Sequence, residues 1–279
     1  MLILGVEFTA HSFGVGIVDS EGNILANAVD SFTSADAGMV PDQLAEHHKK
    51  VAEAVLQKAF DEAKVSWKDI SLIAYSAGPG MDPVLWAGYK IAKDWSIKYN
   101  KKLIGANHCA AHLSIGKIYN KLQDPCYLYV SGVNTQVIVY DGGKYRVIGE
   151  TLDIGLGNML DKFGRVMELG FPAGAKMEEL AKRGKYIALP YTVKGMDISF
   201  SGILTKVQQL YNQKKASKED LCYSLQETCF AMLTEITERA MAHSEKKELL
   251  LVGGVGANKR FCEMLEIMCK ERGATFFKV

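Results

Sequence analysis

The sequence predicts an α/β fold of two lobes built on one plan. Three observations carry this. Two strand hairpins, near residues 2–19 and 126–140, turn on short hydroxyl-bearing segments, Thr9-Ala-His-Ser12 and Ser131-Gly-Val-Asn-Thr135. Buried strands run into glycine-rich turns that open helices, Gly78-Pro-Gly80 and Gly253-Gly-Val-Gly-Ala-Asn258. After each hairpin, strands alternate with amphipathic helices, the pattern of a layered α/β protein. A length of 279 residues, 48% hydrophobic with 26 glycines, supplies apolar surface for two ordinary cores.

In the first lobe, residues 2–9, 13–19 and 23–30 read as strands, with Asp19-Ser-Glu-Gly22 as a turn. Backbone N–H groups and the Thr9 and Ser12 hydroxyls are positioned to meet a phosphate, though an ordinary hairpin has the same look. Residues 33–40 read as a loop. Pro41 opens a helix to about Ala63, with Leu44, Val51, Val55, Ala59 and Phe60 on its apolar face. His47 and His48 within it read as a solvated or partner-facing pair. Residues 70–77 form a buried strand, and a helix covers roughly 84–99. The turn between them offers N–H groups to an anion or is simply tight. A short strand at 102–104 leads into Ala106-Asn-His108-Cys-Ala-Ala-His112. Two histidines four apart project from one helical face, so one metal ion can bind both. The alternative is a packed, hydrogen-bonded pair. The H-E-x-x-H protease signature is not met, because Cys109 stands where the general base belongs.

The lobe boundary falls near Asp124-Pro125, giving lobes of 1–125 and 126–279. Strands at 126–131, 135–140 and 144–151 repeat the opening meander. Helices follow near Gly155–Lys162 and Lys176–Glu179. Residues 186–200 are irregular, Ser201 caps a helix, and a long helix spans about 217–244. Leu249–Val252 is a buried strand, its glycine turn opens another helix, and Thr275–Val279 is a last strand. A net charge of +1 gives no global field for nucleic acid or membrane, so RNA contacts fall to local patches or partners. Six scattered cysteines without a C-x-x-C pair read as reduced thiols, which points to a cytoplasmic protein. No apolar run reaches membrane-spanning length.

Taken together, Thr9-Ala-His11, Ala45-Glu-His-His48, Gly78-Pro-Gly80, Asn107-His-Cys-Ala-Ala-His112, Leu128-Tyr-Val-Ser-Gly132 and Asn134-Thr-Gln136 resemble a known family. So do Gly149-Glu-Thr-Leu-Asp-Ile154, Asn158-Met-Leu-Asp-Lys162, Gly195-Met-Asp-Ile-Ser-Phe-Ser-Gly202, Ser224-Leu-Gln-Glu-Thr228 and Val252-Gly-Gly-Val-Gly-Ala-Asn-Lys-Arg260. The chain resembles the catalytic subunit of the archaeal and eukaryotic KEOPS complex, kin of bacterial TsaD. The resemblance implies an actin/hexokinase-like (ASKHA) fold. It implies transfer of a threonylcarbamoyl group from threonylcarbamoyl-AMP to the tRNA adenosine beside the anticodon. It also implies a divalent metal, iron before zinc, and three partners: a small kinase/ATPase, a dimerisation subunit and a kinase-binding subunit. By the same resemblance His108, His112 and Tyr129 are metal ligands. Tyr129, Val130, Ser131, Gly132 and Val133 line the ligand's phosphate, and Asp161, Gly174, Glu178 and Asn258 hold its adenosine.

The sequence also departs from the family pattern. Val133 stands where glycine is usual, and a β-branched residue is expected to stiffen and crowd a turn that should admit a phosphate; likewise Ala173 stands where glycine is usual, Phe8 where a small residue is common, and Trp86 where an arginine is common. The family's further Asp-Asn-Gly-Ala segment, whose Asp is a metal ligand, is not present, so the second lobe is expected to lack its last segment. Two readings follow: a metal-dependent transferase working with partners, or a divergent or truncated, non-catalytic, partner-binding member. A sugar or acetate-type kinase on the same fold fits less well, since it needs no histidine pair at metal-ligand spacing.

Overall fold

A computed structural model describes residues 1–33 and 40–279; most of the loop expected at 33–40 lies outside the described residues. The chain divides into two compact units, Met1–Ala111 and His112–Val279.

The first unit is a five-stranded mixed sheet in the order β3-β2-β1-β4-β5. Its strands are β1 (Leu2–Glu7), β2 (Ser12–Asp19), β3 (Ile24–Ser31), β4 (Ile70–Gly78) and β5 (Lys102–Asn107). The first three form the antiparallel meander, and β1 pairs with β4 in parallel, as does β4 with β5. Helices α1 (Pro41–Ala63) and α2 (Asp82–Lys98) pack on each other, and their apolar faces close a core of Leu4, Val6, Phe13, Val15, Leu56 and Trp95. The helix expected from residue 84 begins at Asp82, with Pro83 in its first turn, where the missing N–H costs nothing.

Phe8, which stands where the family commonly has a small residue, is fully buried. Its ring occupies the space that Gly88 of α2 leaves, since a Cβ at Gly88 stands 2.0 Å from the Phe8 ring. The large residue and the glycine thus form one exchange of volume. Alanine adds about 1 kcal/mol at an open helix position. Here overpacking dominates, and Gly88→Ala is expected to destabilise by about 1–3 kcal/mol. Phe8→Leu in that background should restore much of the loss. Equal denaturant midpoints for Gly88→Ala and wild type would show that the ring has room to move.

The second unit repeats the plan. Its sheet runs β12-β11-β6-β7-β8. The strands are β6 (Cys126–Val130), β7 (Thr135–Asp141), β8 (Lys144–Glu150), β11 (Glu248–Val252) and β12 (Thr275–Lys278), with β6 paired in parallel to β11. The stretch 186–200 carries a two-strand hairpin, β9 (Val193–Lys194) with β10 (Asp197–Ile198). Helices α4 (Leu156–Val166), α5 (Gly174–Ala181), α6 (Ser201–Asn212), α7 (Lys218–His243) and α8 (Lys259–Glu271) cover one face. Along β6, Cys126, Leu128 and Val130 enter the core with these helices. Tyr127 and Tyr129 alternate to the opposite face.

Helix α3 (His108–Tyr119) begins at the end of the first unit and continues in the second. A Cβ on Gly116 of α3 stands 2.8 Å from Leu250 of β11, so most of α3 packs on the second sheet. Ser201 was expected to cap α6. Instead it is the first helical residue, and the cap comes from Asp153, whose carboxylate accepts from the N–H groups of Phe200 and Ser201 at 2.9 Å each. Burial raises the Asp153 carboxyl, but these bonds and one from Ile154 outweigh it and hold it below its ordinary value. Ser217 does cap α7, accepting from Asp220 N–H. No helix of the described residues is long and apolar enough to cross a membrane.

Candidate active site

In the first unit the Thr9 turn folds inward. Glu7, at the end of β1, accepts four hydrogen bonds: from Thr9 N–H (2.8 Å), the Thr9 hydroxyl (2.6 Å), the Ser76 hydroxyl, and Nδ1–H of His108 (2.9 Å). Burial alone would raise this carboxyl, but the bonds from His108, Ser76 and Thr9 prevail and hold it down to about 2. The Thr9 hydroxyl is therefore engaged with Glu7, and Ser12 bonds Ser31 across the hairpin, so the expected phosphate donors are turned to other work. Gly80 packs on this turn. Met81 N–H donates to the Thr9 carbonyl at 3.3 Å, and a Cβ at Gly80 stands 2.8 Å from that oxygen.

The contact with Glu7 needs hydrogen on Nδ1, so in the neutral imidazole the lone pair lies on Nε2. A carboxylate on the far nitrogen is the usual support of a metal-bound histidine. His112 follows one turn later on α3, and its ring lies 5.8 Å from that of Tyr129, centroid to centroid. Two imidazoles and a phenol suit a borderline divalent ion such as iron or zinc, so these residues fit the metal. Among the described residues no three His, Cys, Asp or Glu side chains form such a group. Cys109, between the histidines, is half-buried.

In the second unit the Ser131–Asn134 turn is clamped onto the start of α4. The Ser131 carbonyl accepts from Gly157 N–H at 3.1 Å, and the Gly132 carbonyl accepts from Asn158 N–H at 2.9 Å. In a trans peptide the next N–H points opposite its carbonyl. The amides of Gly132 and Val133 therefore face away from α4, as an anion-binding turn requires. Two glycines allow the approach: a Cβ at Gly155 stands 2.2 Å from the Val133 carbonyl, and one at Gly157 stands 2.7 Å from the Ser131 carbonyl. Val133 was expected to strain this turn. Its backbone lies outside the left-handed region, and its side chain is 72% exposed. Val133 borders an open cavity of about 240 Å³, lined also by Asn134, Gln136, Glu150 and Asn158.

The four residues expected at an adenosine are brought together through α5. Asp161 of α4 accepts from Ala173 N–H at 2.8 Å, just before Gly174. Glu178, one turn along α5, accepts from Lys259 N–H at 2.9 Å. Asn258 caps α8 by accepting from Phe261 N–H and donates its amide to Gln226. A Cβ at Gly174 would meet open space. Ala173 was expected to crowd this region. It is fully buried, its methyl filling the gap left by Gly164, so it points into the core. The glycine turn after β11 presses against the Ser131–Asn134 turn: Gly253, at φ +103°, leaves no space for a Cβ, which would stand 2.3 Å from the Val130 carbonyl. Sequence reasoning missed the Glu227–Arg260 pair, two bonds of 2.9 Å that brace the first turn of α8. An acid and a base 33 residues apart give no local signal.

Residues 23–279 match a family model described as tRNA N6-adenosine threonylcarbamoyltransferase. A protein of that name from Thermococcus sibiricus is 52% identical over 278 residues, 99% of this chain and 85% of the relative. One from Thermofilum pendens is 47% identical over 272 residues, 97% of this chain and 81% of its own length. A Methanocaldococcus jannaschii relative, named a probable bifunctional tRNA threonylcarbamoyladenosine biosynthesis protein, is 49% identical, and the match covers 51% of it. Among solved structures, HypF from T. kodakarensis superposes on the whole chain with TM-score 0.69 at 14% identity, covering 44% of HypF. The Acidaminococcus fermentans (R)-2-hydroxyglutaryl-CoA dehydratase component A does so with TM-score 0.59 at 13% identity, covering 92% of that chain. These likenesses show an actin/hexokinase-like fold of two α/β lobes.

Proposed function

The chain belongs to the TsaD family of tRNA N6-adenosine threonylcarbamoyltransferases, and from that premise we propose how its own residues carry out the transfer. It moves a threonylcarbamoyl group from threonylcarbamoyl-AMP to N6 of the tRNA adenosine beside the anticodon. The new bond joins N6 to the carbamoyl carbon, the bond from that carbon to the phosphate oxygen breaks, and AMP leaves, its freed phosphate oxygen taking up the proton that N6 loses.

The observation that carries the reading is the support built around His108. His108, held by Glu7, and His112, against Tyr129, bind one divalent ion, with Tyr129 as the third ligand; iron is the first choice and zinc the second. When bound, that ion supplies a Lewis acid for the carbonyl and phosphoryl oxygens. Tyr129, Val130, Ser131, Gly132 and Val133 carry the phosphate, the outward amides of Gly132 and Val133 donating to it. Asp161 and Glu178 bind ribose hydroxyls, while Gly174 and Asn258 leave a flat surface for the adenine. Fixing both reactants converts a two-body encounter into an oriented one, which accounts for much of the acceleration. Equilibrium dialysis against iron(II) or zinc(II) should give about one ion per chain, reduced in His108→Ala. Full binding by His108→Ala would remove this residue from the set.

Val133 tests the phosphate assignment. The residue borders the cavity and its side chain is exposed, and removing that side chain should tighten adenine-nucleotide binding, by about threefold to tenfold in calorimetry. Unchanged affinity in Val133→Gly would place the phosphate elsewhere.

The reading includes a cytoplasmic setting, with tRNA reached through a complex containing a small kinase/ATPase, a dimerisation subunit and a kinase-binding subunit. The bifunctional name of the longer relative supports a second activity working beside this one. In this reading the lobe 1–125 carries the metal-binding histidine pair and the lobe 126–279 binds the nucleotide. A non-catalytic role loses one of its grounds, since Ala173 is matched by Gly164, which makes room for its methyl.

A further inference from the structure

Beside the Ser131–Asn134 turn lies the open cavity of about 240 Å³, and the chemistry of its lining narrows what can occupy it. Its charged lining residues, Glu150 and Asp153, are both acids, and among the described residues no lysine or arginine lines it. Asp153 is already spent: its carboxylate accepts from the N–H groups of Ile154, Phe200 and Ser201. Glu150, exposed at the end of β8, accepts one hydrogen bond, at Oε2 from the Gln136 amide at 3.1 Å. That bond steadies the carboxylate and leaves Oε1 open. Asn134 is half-buried and Asn158 exposed. Both use their backbone groups within the turn and at the start of α4. Among the described residues the side-chain amide of neither makes a hydrogen bond.

Such a lining serves an anion poorly, since a carboxylate or phosphate would enter beside two acids with no cation to meet it. It serves a neutral, flat group that carries both donors and acceptors. A carboxylate oxygen accepts, and a primary amide donates and accepts side by side, which is how Asn and Gln read an adenine edge. Position agrees with this chemistry. In the transfer the carbamoyl carbon is one bond from the phosphate oxygen, and the attacking nitrogen must come within about 3–3.5 Å of that carbon. The acceptor therefore sits next to whatever holds the phosphate, and the cavity shares Val133 and Asn134 with the turn assigned to that role.

We propose that this cavity is the subsite of the acceptor adenine, with Glu150 accepting from its N6–H and the Asn134 amide reading its edge. The assignment deepens the transfer reading above and rests on it. N6 carries two hydrogens. One stays and donates to Glu150 Oε1, which fixes the orientation of the amine. The other is the proton that passes to the phosphate oxygen of AMP as the new bond forms. The openness of the cavity suits a base on a tRNA loop, which can turn outward without unpairing a helix.

The test uses the full chain with its partner subunits, and tRNAs carrying adenosine, 1-deazaadenosine or 7-deazaadenosine at the acceptor position. Each analogue keeps N6 and loses one ring nitrogen. The wild type should discriminate against one of the two by about tenfold in kcat/KM. Asn134→Ala should lower transfer to adenosine about tenfold and then treat adenosine and that analogue alike. Glu150→Ala should lower kcat/KM for all three about tenfold, with AMP affinity in calorimetry unchanged. Discrimination that persists in Asn134→Ala, or a wild type that shows none, would overturn the proposal. So would a loss of AMP affinity in Glu150→Ala, which would give the cavity to the donor nucleotide. So would a Glu150→Ala defect that vanishes when glycine replaces threonine in the donor, which would give it to the threonyl group. In each of these cases the wild type still binds AMP and transfers, so the transfer reading stands. A wild type that binds AMP beside its partners but transfers nothing would be the failure of that reading, and the assignment would fall with it.

Discussion

His112→Ala is expected to remove threonylcarbamoyl transfer to tRNA almost entirely while leaving the fold intact. His112 sits between the two other members of the proposed set, one helical turn from His108 and against the Tyr129 ring. Truncation leaves one imidazole and one phenol, too few to hold a labile divalent ion firmly. Loss of a Lewis acid that contributes several kcal/mol at the developing charge amounts to about a thousandfold in rate. The side chain is only half-buried, so unfolding should move by less than about 1 kcal/mol. Adenine-nucleotide affinity should survive largely unchanged, because Asp161, Glu178 and Asn258 are braced through α5 and α8 rather than α3. Transfer assayed with the partner subunits, with metal content measured on the same samples, separates the outcomes. A His112→Ala protein that transfers at more than about a tenth of the wild-type rate would end the metal assignment.

Gly253→Ala should be the most damaging single methyl in the second unit. The residue adopts φ +103°, where an L side chain is strained. Its added Cβ would stand 2.3 Å from the Val130 carbonyl and 3.2 Å from the Ser131 amide. Neither is a flexible side-chain end, and both lie where β6 runs into the Ser131–Asn134 turn, so relief requires moving the turn. A cost of about 3 kcal/mol or more is expected, together with weaker nucleotide binding. Gly254→Ala is the control: its Cβ would meet nothing, and its backbone is not left-handed, so it should be close to neutral. If both substitutions behave alike in denaturation and calorimetry, the close approach at Val130 is not what holds the turn.

The features legible in the sequence are those written over short spans. The i, i+4 histidine pair, the glycine turns and the Ser217 and Asn258 caps need only a few residues of context, and the structure has them where expected. Features that depend on distant partners were misread. Phe8 and Ala173 stood out as departures because the glycines that receive them, Gly88 and Gly164, lie elsewhere in the chain. Asp153 caps a helix 47 residues away, so the cap fell to nearby Ser201 instead. His48 was legible in principle: it stands four residues from both Leu44 and Ala52, in the middle of the buried stripe of α1. Its polarity overrode its position. Val133 was judged by its β-branched shape, whereas its backbone asks nothing unusual of it.

The pairing of β6 with β11 has a consequence for synthesis on the ribosome. Strands β6, β7 and β8 are neighbours in sequence and can form a meander as soon as they emerge. The other edge of β6, every residue of which is buried in the finished protein, must wait for Glu248–Val252. At about 5–20 residues per second, the stretch from Val130 to Glu248 leaves that edge open for roughly 6–24 s. The first unit has no such delay, because every strand of its sheet is made before residue 108. A nascent chain arrested between these points carries one finished half beside a bare, apolar strand edge, the form most prone to stick to its neighbours. Slow codons or a holding chaperone acting over this interval should therefore govern yield more strongly than any treatment of the completed protein.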